Sequence, residues 1–384
     1  IGRTRTAPDA TERLPLARFS FASCQMYEHG YYAAQRDIAN ADLNAVLFVG
    51  DYIYERSWGR QHVRRHEAGV PTSLDEFRNR YALYKSDLDL QAAHAAHPWI
   101  VVWDDHEVSN DYADDIAPDV PDPTRLLPMR AAAYQAFWEH MPLSNKVKPA
   151  GPSFKLYDRY RFGDLAEITV IDDRQYRGHN FCPPGDKPRH ALDCTDRLDP
   201  NRTMLGAEQE AWFADGLRRA STRWNVIAQQ TLMAEADTGK NGAHVYRADG
   251  WDGYPVARQK LLDAVSASPV RDTLVLGGDV HTFWAADLKR DFADSRAAVV
   301  ATEFVGGAIS SQTPSDKATQ EIVRRNPHLR YGLGGLNGYG LLELTPQRAT
   351  VSFRTVKAVM EQNSPVVTQA RFVVEAGKPG VQKA

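Results

Sequence analysis

The runs LFVGDYIY (residues 47–54), IVVWDDHE (100–107), ITVIDDRQYR (168–177) and LVLGGDVH (274–281) share one pattern: an apolar stretch that ends on a carboxylate, tyrosine, arginine or histidine. Short Val/Leu/Ile runs bounded by glycine or polar residues predict buried strands, and in open α/β sheets ligands collect outside the carboxyl ends of the strands. A fifth run, ARFSFASC (17–24), ends on Cys24. Together the five predict one rim holding Cys24, Asp51, Tyr54, Asp104, Asp105, His106, Asp172, Asp173, Arg174, Asp279 and His281.

Working outward, residues 73–96 carry Phe77, Tyr81, Tyr84 and Leu88 at helical spacing and predict one helix covering the sheet. Further helices are expected at 125–140, 206–220, 256–265 and near 315–325, and a hairpin at 155–162 with 166–172. Strands are expected at 45–49, 100–103, 224–228, 273–276, 298–305, 340–344, 350–353 and 371–374. With no internal repeat or linker, the expected fold class is α/β, two mixed β-sheets packed as a sandwich flanked by helices. Residues 1–18 read as the remnant of an upstream segment or linker. Residues 19–384 read as one domain with an inserted loop around 173–203.

The 384 residues include 43% hydrophobic side chains, ample for a large core, and the formal net charge is -3. That balance excludes a surface that is cationic throughout for nucleic acid. No apolar stretch approaches the roughly 20 residues that span a bilayer. Of three cysteines, Cys182 and Cys194 share the Pro/Gly/charged loop FCPPGDKPRHALDC, which a disulfide between them would close. Such a bond marks an exported protein. Cys24 is left as an unpaired thiol at a strand end.

An Asp at one strand end and an Asp-x-His at another are parts of a two-metal hydrolase, where one carboxylate bridges two cations. Asp51 and Tyr54 on one turn, with Cys24 and His281, make a mixed O, S and N set; phenolate and thiolate together prefer Fe(III). Asp105 and Asp279, with Asp51 shared, supply oxygen alone, which suits Ca(II) or Mn(II). A Gly-Asp after a strand is commonly only a turn or a cap. The convergence of five such ends is what favours a metal centre. Arg174, Arg177, His106, Arg247 and Arg258 are the candidate clamp for a phosphoryl group.

The motifs ASCQ (22–25), GDYIYE (50–55), WDDHE (103–107), DRQYR (173–177), WDGYP (251–255), GDVH (278–281) and EFVGGAISS (303–311) resemble, in order, those of the PhoD-type alkaline phosphatases, a group that also includes a streptomycete phospholipase D. The resemblance implies a calcineurin-like metallophosphoesterase sandwich. It implies Fe(III) plus a divalent ion, Ca(II) first and Mn(II) or Zn(II) after it. The activity it implies is hydrolysis of phosphate mono- and diesters by in-line attack of a metal-bound hydroxide or oxide. It makes Cys24, Asp51, Tyr54 and His281 the iron ligands and sets Asp51, Asp105 and Asp279 against the second metal. His106 and Arg174 become catalytic phosphate contacts, and Asn110, which stands in for the asparagine ligand of metallophosphoesterases, joins them and Arg247 as a substrate-binding residue.

The expected partner is a small phosphate mono- or diester, with no stable nucleic-acid partner and no membrane span. Export, periplasmic or secreted, is the implied location. Family members carry a twin-arginine signal and an immunoglobulin-like domain ending in a GRTRTAP-like stretch; residues 2–8 match that stretch, so the upstream domain is expected to be missing, cleaved or outside this chain. Asp173 stands where relatives often have Thr. Competing readings are a phospholipase D-like enzyme releasing lipid headgroups, a phosphate- or metal-binding protein without turnover, and a nuclease-like diesterase. The absence of an aromatic and basic stripe weakens the last.

Overall fold

A computed structural model describes residues 2–179, 190–192, 195–240 and 242–384, with the backbone alone at 190–192 and 195. Cys182 and Cys194 lie outside the described residues. In chain order the first strands are β1 (Ala17–Ala22), β2 (Ala45–Val49), β3 (Trp99–Val102), β4 (Asp158–Phe162), β5 (Ala166–Val170), β6 (His190–Leu192), β7 (Trp224–Ala228) and β8 (Val245–Arg247). They continue with β9 (Thr273–Gly277), β10 (Phe283–Lys289), β11 (Val299–Gly306), β12 (Leu329–Leu333), β13 (Asn337–Leu344), β14 (Arg348–Val356), β15 (Val366–Glu375) and β16 (Lys378–Lys383). The helices are α1 (Ala33–Asn40), α2 (Leu74–Lys85), α3 (Leu88–Ala96), α4 (Pro123–His140), α5 (Gly206–Arg218), α6 (Pro255–Ala267) and α7 (Asp316–Arg325).

Two seven-stranded mixed sheets result, in the orders β16-β15-β14-β13-β1-β2-β3 and β12-β10-β11-β9-β7-β5-β4, beside a small ribbon of β6 and β8. Within the first sheet β1, β2 and β3 run parallel. Within the second, β5, β7, β9 and β11 do the same. These parallel strands hold the fully buried apolar runs that decide the fold, because helices or the opposite sheet cover both their faces. Val226, Leu274 and Leu276 face the inter-sheet core with Phe19, Phe21 and Leu47. Their neighbours Ile227 and Val275 point the other way, into a second core with Phe213 of α5 and Leu261 of α6.

The helix expected over 73–96 is two helices. Ser73 and Glu76 form a capping box that starts α2. Asp87 accepts hydrogen bonds from the amides of Asp89 and Leu90, an N-cap that restarts the chain as α3. Strand β10, unforeseen from sequence, reads as a continuation of the functional turn that precedes it, and β12 pairs with its outer side. Helix α1 and strand β16 are likewise additions to the expected set. No described helix is long and apolar enough to cross a membrane.

Candidate metal centre

The turns after three of the parallel strands, β1, β2 and β9, are bent in a way that costs free energy. Cys24, Asp51, Asp279 and His281 have φ of 59°, 56°, 59° and 51°, four of the seven described non-glycine residues in the left-handed region. Such conformations cost roughly 1–3 kcal/mol each and persist where the surroundings over-determine them. Two glycines explain why Gly precedes Asp in both motifs. At Gly50, with φ of 106°, a Cβ would fall 2.3 Å from Cβ of Asp104; at Gly278 it would fall 2.4 Å from Oγ of Ser23. The first glycine lets the ends of β2 and β3 touch, and the second lets the two sheets touch.

Buried polar groups lock these ends together. The Glu107 carboxylate accepts from the amides of Asp51 (3.1 Å), Tyr52 (2.5 Å) and Asp104 (2.8 Å). Gln230 after β7 donates from Nε2 to the carbonyls of Trp103 (3.0 Å) and Ile171 (3.1 Å), joining one sheet to the other.

On one side of the seam the ligating atoms of Cys24, Asp51 and His281 lie within 4.8 Å of one another. The Tyr54 hydroxyl sits 2.8 Å from Oδ2 of Asp51, 3.0 Å from Nε2 of His281 and 2.8 Å from Oγ of Ser311. His281 donates from Nδ1 to the Gln312 carbonyl at 2.9 Å, which leaves Nε2 as a lone pair. Its partners in turn are ordered: the Gln312 amide donates to Nδ1 of His29, whose Nε2 donates to the Trp58 carbonyl.

One phenolic proton thus faces two acceptors, and Oδ1 of Asp51 is buried with no hydrogen-bond partner. Burial, reinforced by neighbouring negative charge, pushes the Cys24 thiol, the Tyr54 phenol and the Asp51 carboxyl well above their ordinary ranges. Burial also holds His281 down to about 3, as the neutral imidazole that ligates metals. A thiolate, a phenolate, a carboxylate and an imidazole around an unmet acceptor are a donor set that fits a metal ion, and a cation would reverse the cost of ionising them.

The other side is carboxylate. Asp104, Asp105 and Asp279 form one group and Asp105, Asp111 and Asp249 another. Arg174 lies among them fully buried. Its Nε bonds Asp104, its Nη1 bonds both oxygens of Asp249 at 2.9 and 2.8 Å, and its Nη2 is 3.5 Å from Asp279. Arg174 therefore does not line the pocket, contrary to the expectation of a phosphate contact; the turn after β5 folds its guanidinium behind the carboxylates. Arg177 is equally buried on Asp249 and the carbonyls of Asp111 and Tyr112. Arg258 pairs with Asp252 and Glu235. Arg247 does line the pocket, and its Nη1 and Nη2 reach the two oxygens of Asp279 at 3.1 and 3.2 Å.

The centre opens into a pocket of about 650 Å³ lined by Asp51, Asp105, His106, Asn110, Arg247, Asp279 and His281, with Arg56 and Trp58 on its wall. His106 is held through Nδ1 by Glu55 at 2.5 Å and packs on the Tyr54 ring at 4.2 Å. Burial opposes a charge on that imidazole, yet Glu55, Asp105 and Asp51 overcome it and raise its pKa. Cys24 and Tyr54 are fully buried and meet the pocket only through their contacts with the lining residues Asp51 and His281. Sequence reasoning passed over Glu55, Glu107, Asp249 and Trp58. The two glutamates close motifs already quoted, and Asp249 stands between Arg247 and Trp251, but nothing local in the sequence pairs it with Arg174.

The PhoD-like phosphatase family profile matches residues 19–353. Over 391 aligned residues the chain is 38% identical to alkaline phosphatase D of Bacillus subtilis (strain 168), covering all of this chain and 66% of that protein. The chain thus spans just under two thirds of the Bacillus protein's length. The solved structure of PhoD superposes with a TM-score of 0.94 at 37% identity, covering 100% of this chain and 74% of that one. Profile, relative and superposition agree with the strand-end centre described above: the chain belongs to the PhoD-like phosphatase family.

Proposed function

We propose that the chain is a metal-dependent phosphoric ester hydrolase of the alkaline phosphatase type. The observation that carries this reading is the cluster of Cys24, Asp51, Tyr54 and His281 packed against Asp105 and Asp279 beside a pocket whose lining includes the cation Arg247. The relative's name, alkaline phosphatase D, supports it. Thiolate with phenolate suits Fe(III), and the all-oxygen side suits Ca(II), with Mn(II) or Zn(II) as its substitutes. Bound there, two cations lower the pKa of water and neutralise charge on phosphoryl oxygens.

The protein's own groups do the rest. Asp51 stands between the two ligand sets and fixes their spacing. Arg247 exchanges part of its contact with Asp279 for a phosphoryl oxygen, a charge-assisted bond that holds the ester in line. His106, kept protonated by Glu55, donates to the departing alkoxide oxygen. Arg174 balances the carboxylates from behind: burial opposes their charge, yet Arg174 draws Asp105 and Asp249 below the usual carboxylate range, while Asp104 and Asp279 stay above it until a cation offsets their burial. Export of the protein is the matching location, and a Cys182–Cys194 bridge would mark it.

The test is elemental analysis with a monoester and diester panel on one preparation, repeated on Asp51→Ala. Both metals and turnover should be lost together. An Asp51→Ala protein that keeps its metals and its activity would sink the assignment.

A further inference from the structure

Beside the charged pocket lies a second chamber of about 310 Å³. The two are adjacent, since Arg247, Asp279, Val280 and Pro314 line both. Their chemistry is opposite. Where the first is walled by carboxylates, imidazoles and guanidinium, the second is walled by Leu232, Trp251, Trp284, Ala318 and Ile322. The Trp284 indole N–H in that wall is buried without a hydrogen-bond partner, and each such group in a native structure calls for an explanation. A volume near 300 Å³ is at the lower end of small-ligand sites, which are mostly apolar with a few polar groups fixing orientation. Arg247 and Asp279 stand where those polar groups are required.

We propose that this chamber takes the apolar arm, alkyl or aryl, of a phosphate ester whose phosphoryl group sits in the charged pocket. The inference rests on the phosphoesterase reading and adds the substrate class: esters of an apolar alcohol, with Arg247 at the junction between phosphoryl group and arm. Water leaves both the arm and the indole wall on binding, which favours a longer arm until the chamber is full. Because Ala318 and Ile322 of the wall come from α7, that side of the chamber can change without touching a ligand-bearing residue.

The experiment measures affinity rather than turnover. Methyl-, butyl-, hexyl- and phenylphosphonate, none of which has an ester bond to cleave, are titrated calorimetrically into the full chain reconstituted with Fe(III) and Ca(II). Affinity should rise by roughly fourfold per added methylene, the equivalent of the transfer free energy of a buried CH₂, and comparison of phenyl with hexyl identifies the arm preferred. Ala318 is exposed on α7, so Ala318→Trp should fold; it should flatten the series while leaving methylphosphonate affinity within about twofold. Ile322→Arg, a charge in the same wall, should do likewise. Affinity independent of arm length in the unaltered protein, or a series unchanged in both variants, overturns the proposal. If affinity climbs with the arm but no corresponding ester is hydrolysed, the chamber stands and the hydrolase reading fails.

Discussion

At the scale of single residues the sharpest contrast is between two arginines that composition treats alike. Arg174 is fully buried and bonded to carboxylates, and Arg247 is half-exposed at the pocket. Removing one partner of a buried ion cluster costs about 3–5 kcal/mol, since the other charges are left unpaired. Arg174→Ala should therefore lower the thermal midpoint steeply and reduce the folded yield. Arg247→Ala should leave the midpoint close to that of the parent while kcat/KM falls by about 10- to 100-fold, the worth of a charge-assisted hydrogen bond. The reverse pattern would restore Arg174 as the phosphate contact. Tyr54 gives an optical prediction: with Fe(III) bound to its phenolate the protein should be coloured, and Tyr54→Phe should lose the visible band together with iron. An equally coloured Tyr54→Phe protein would exclude the phenolate as ligand. Neither arginine's direction is legible from sequence, because residue type announces a charge and not where the turn aims it.

At the scale of elements, the packing of α3 on β3 and the β2 turn makes stability depend on pH. His94 of α3 stacks on Trp99 at 3.9 Å and meets the Tyr52 hydroxyl at 2.8 Å. Burial, with Lys85 adding repulsion, lowers its pKa from 6.5 to about 3. The folded state thus holds His94 neutral while the unfolded chain protonates it near 6.5, so stability is full above that value and lost as pH falls toward 3. At pH 5 the loss is roughly 2 kcal/mol. His94→Phe keeps the ring stack and removes the proton site. Its thermal midpoint should fall less than the parent's between pH 7 and pH 5, and parallel declines would refute the role of His94. The elements themselves were largely readable. Fully buried parallel strands write themselves as Val/Leu/Ile runs, which is why 45–49 and 224–228 match their strands to the residue. Strand β16, with the sequence KPGVQK, has no such signature, since only its pairing with β15 makes it a strand. The break between α2 and α3 hides in one Asp whose capping role depends on where the helix stops.

At the scale of the molecule, the centre is a joint between two sheets. Cys24, Asp51, Tyr54 and Asp105 follow strands of the first; Asp279 and His281 follow β9 of the second. Ions held there bind the folded state alone, so chelation should lower the thermal midpoint, and restoring free metal to a thousandfold above its Kd should return about 4 kcal/mol. A midpoint indifferent to chelator, measured with metal removal verified, would mean that the joint holds without ions. This convergence was legible because five strand ends carried ligand types. Its support by Glu107, Gln230 and Asp249 was not, since those contacts exist only after both sheets are in place. The layout also has a consequence in time. The first sheet is begun by residues 17–102 and closed by β13 to β16, after the whole second sheet has been made. At roughly 5–20 residues per second of translation, Asp51 precedes His281 by ten seconds or more. A nascent chain therefore carries an incomplete ligand set and a bare Cys24 thiol until His281 has been made, which makes metal loading a late event that reports completed folding.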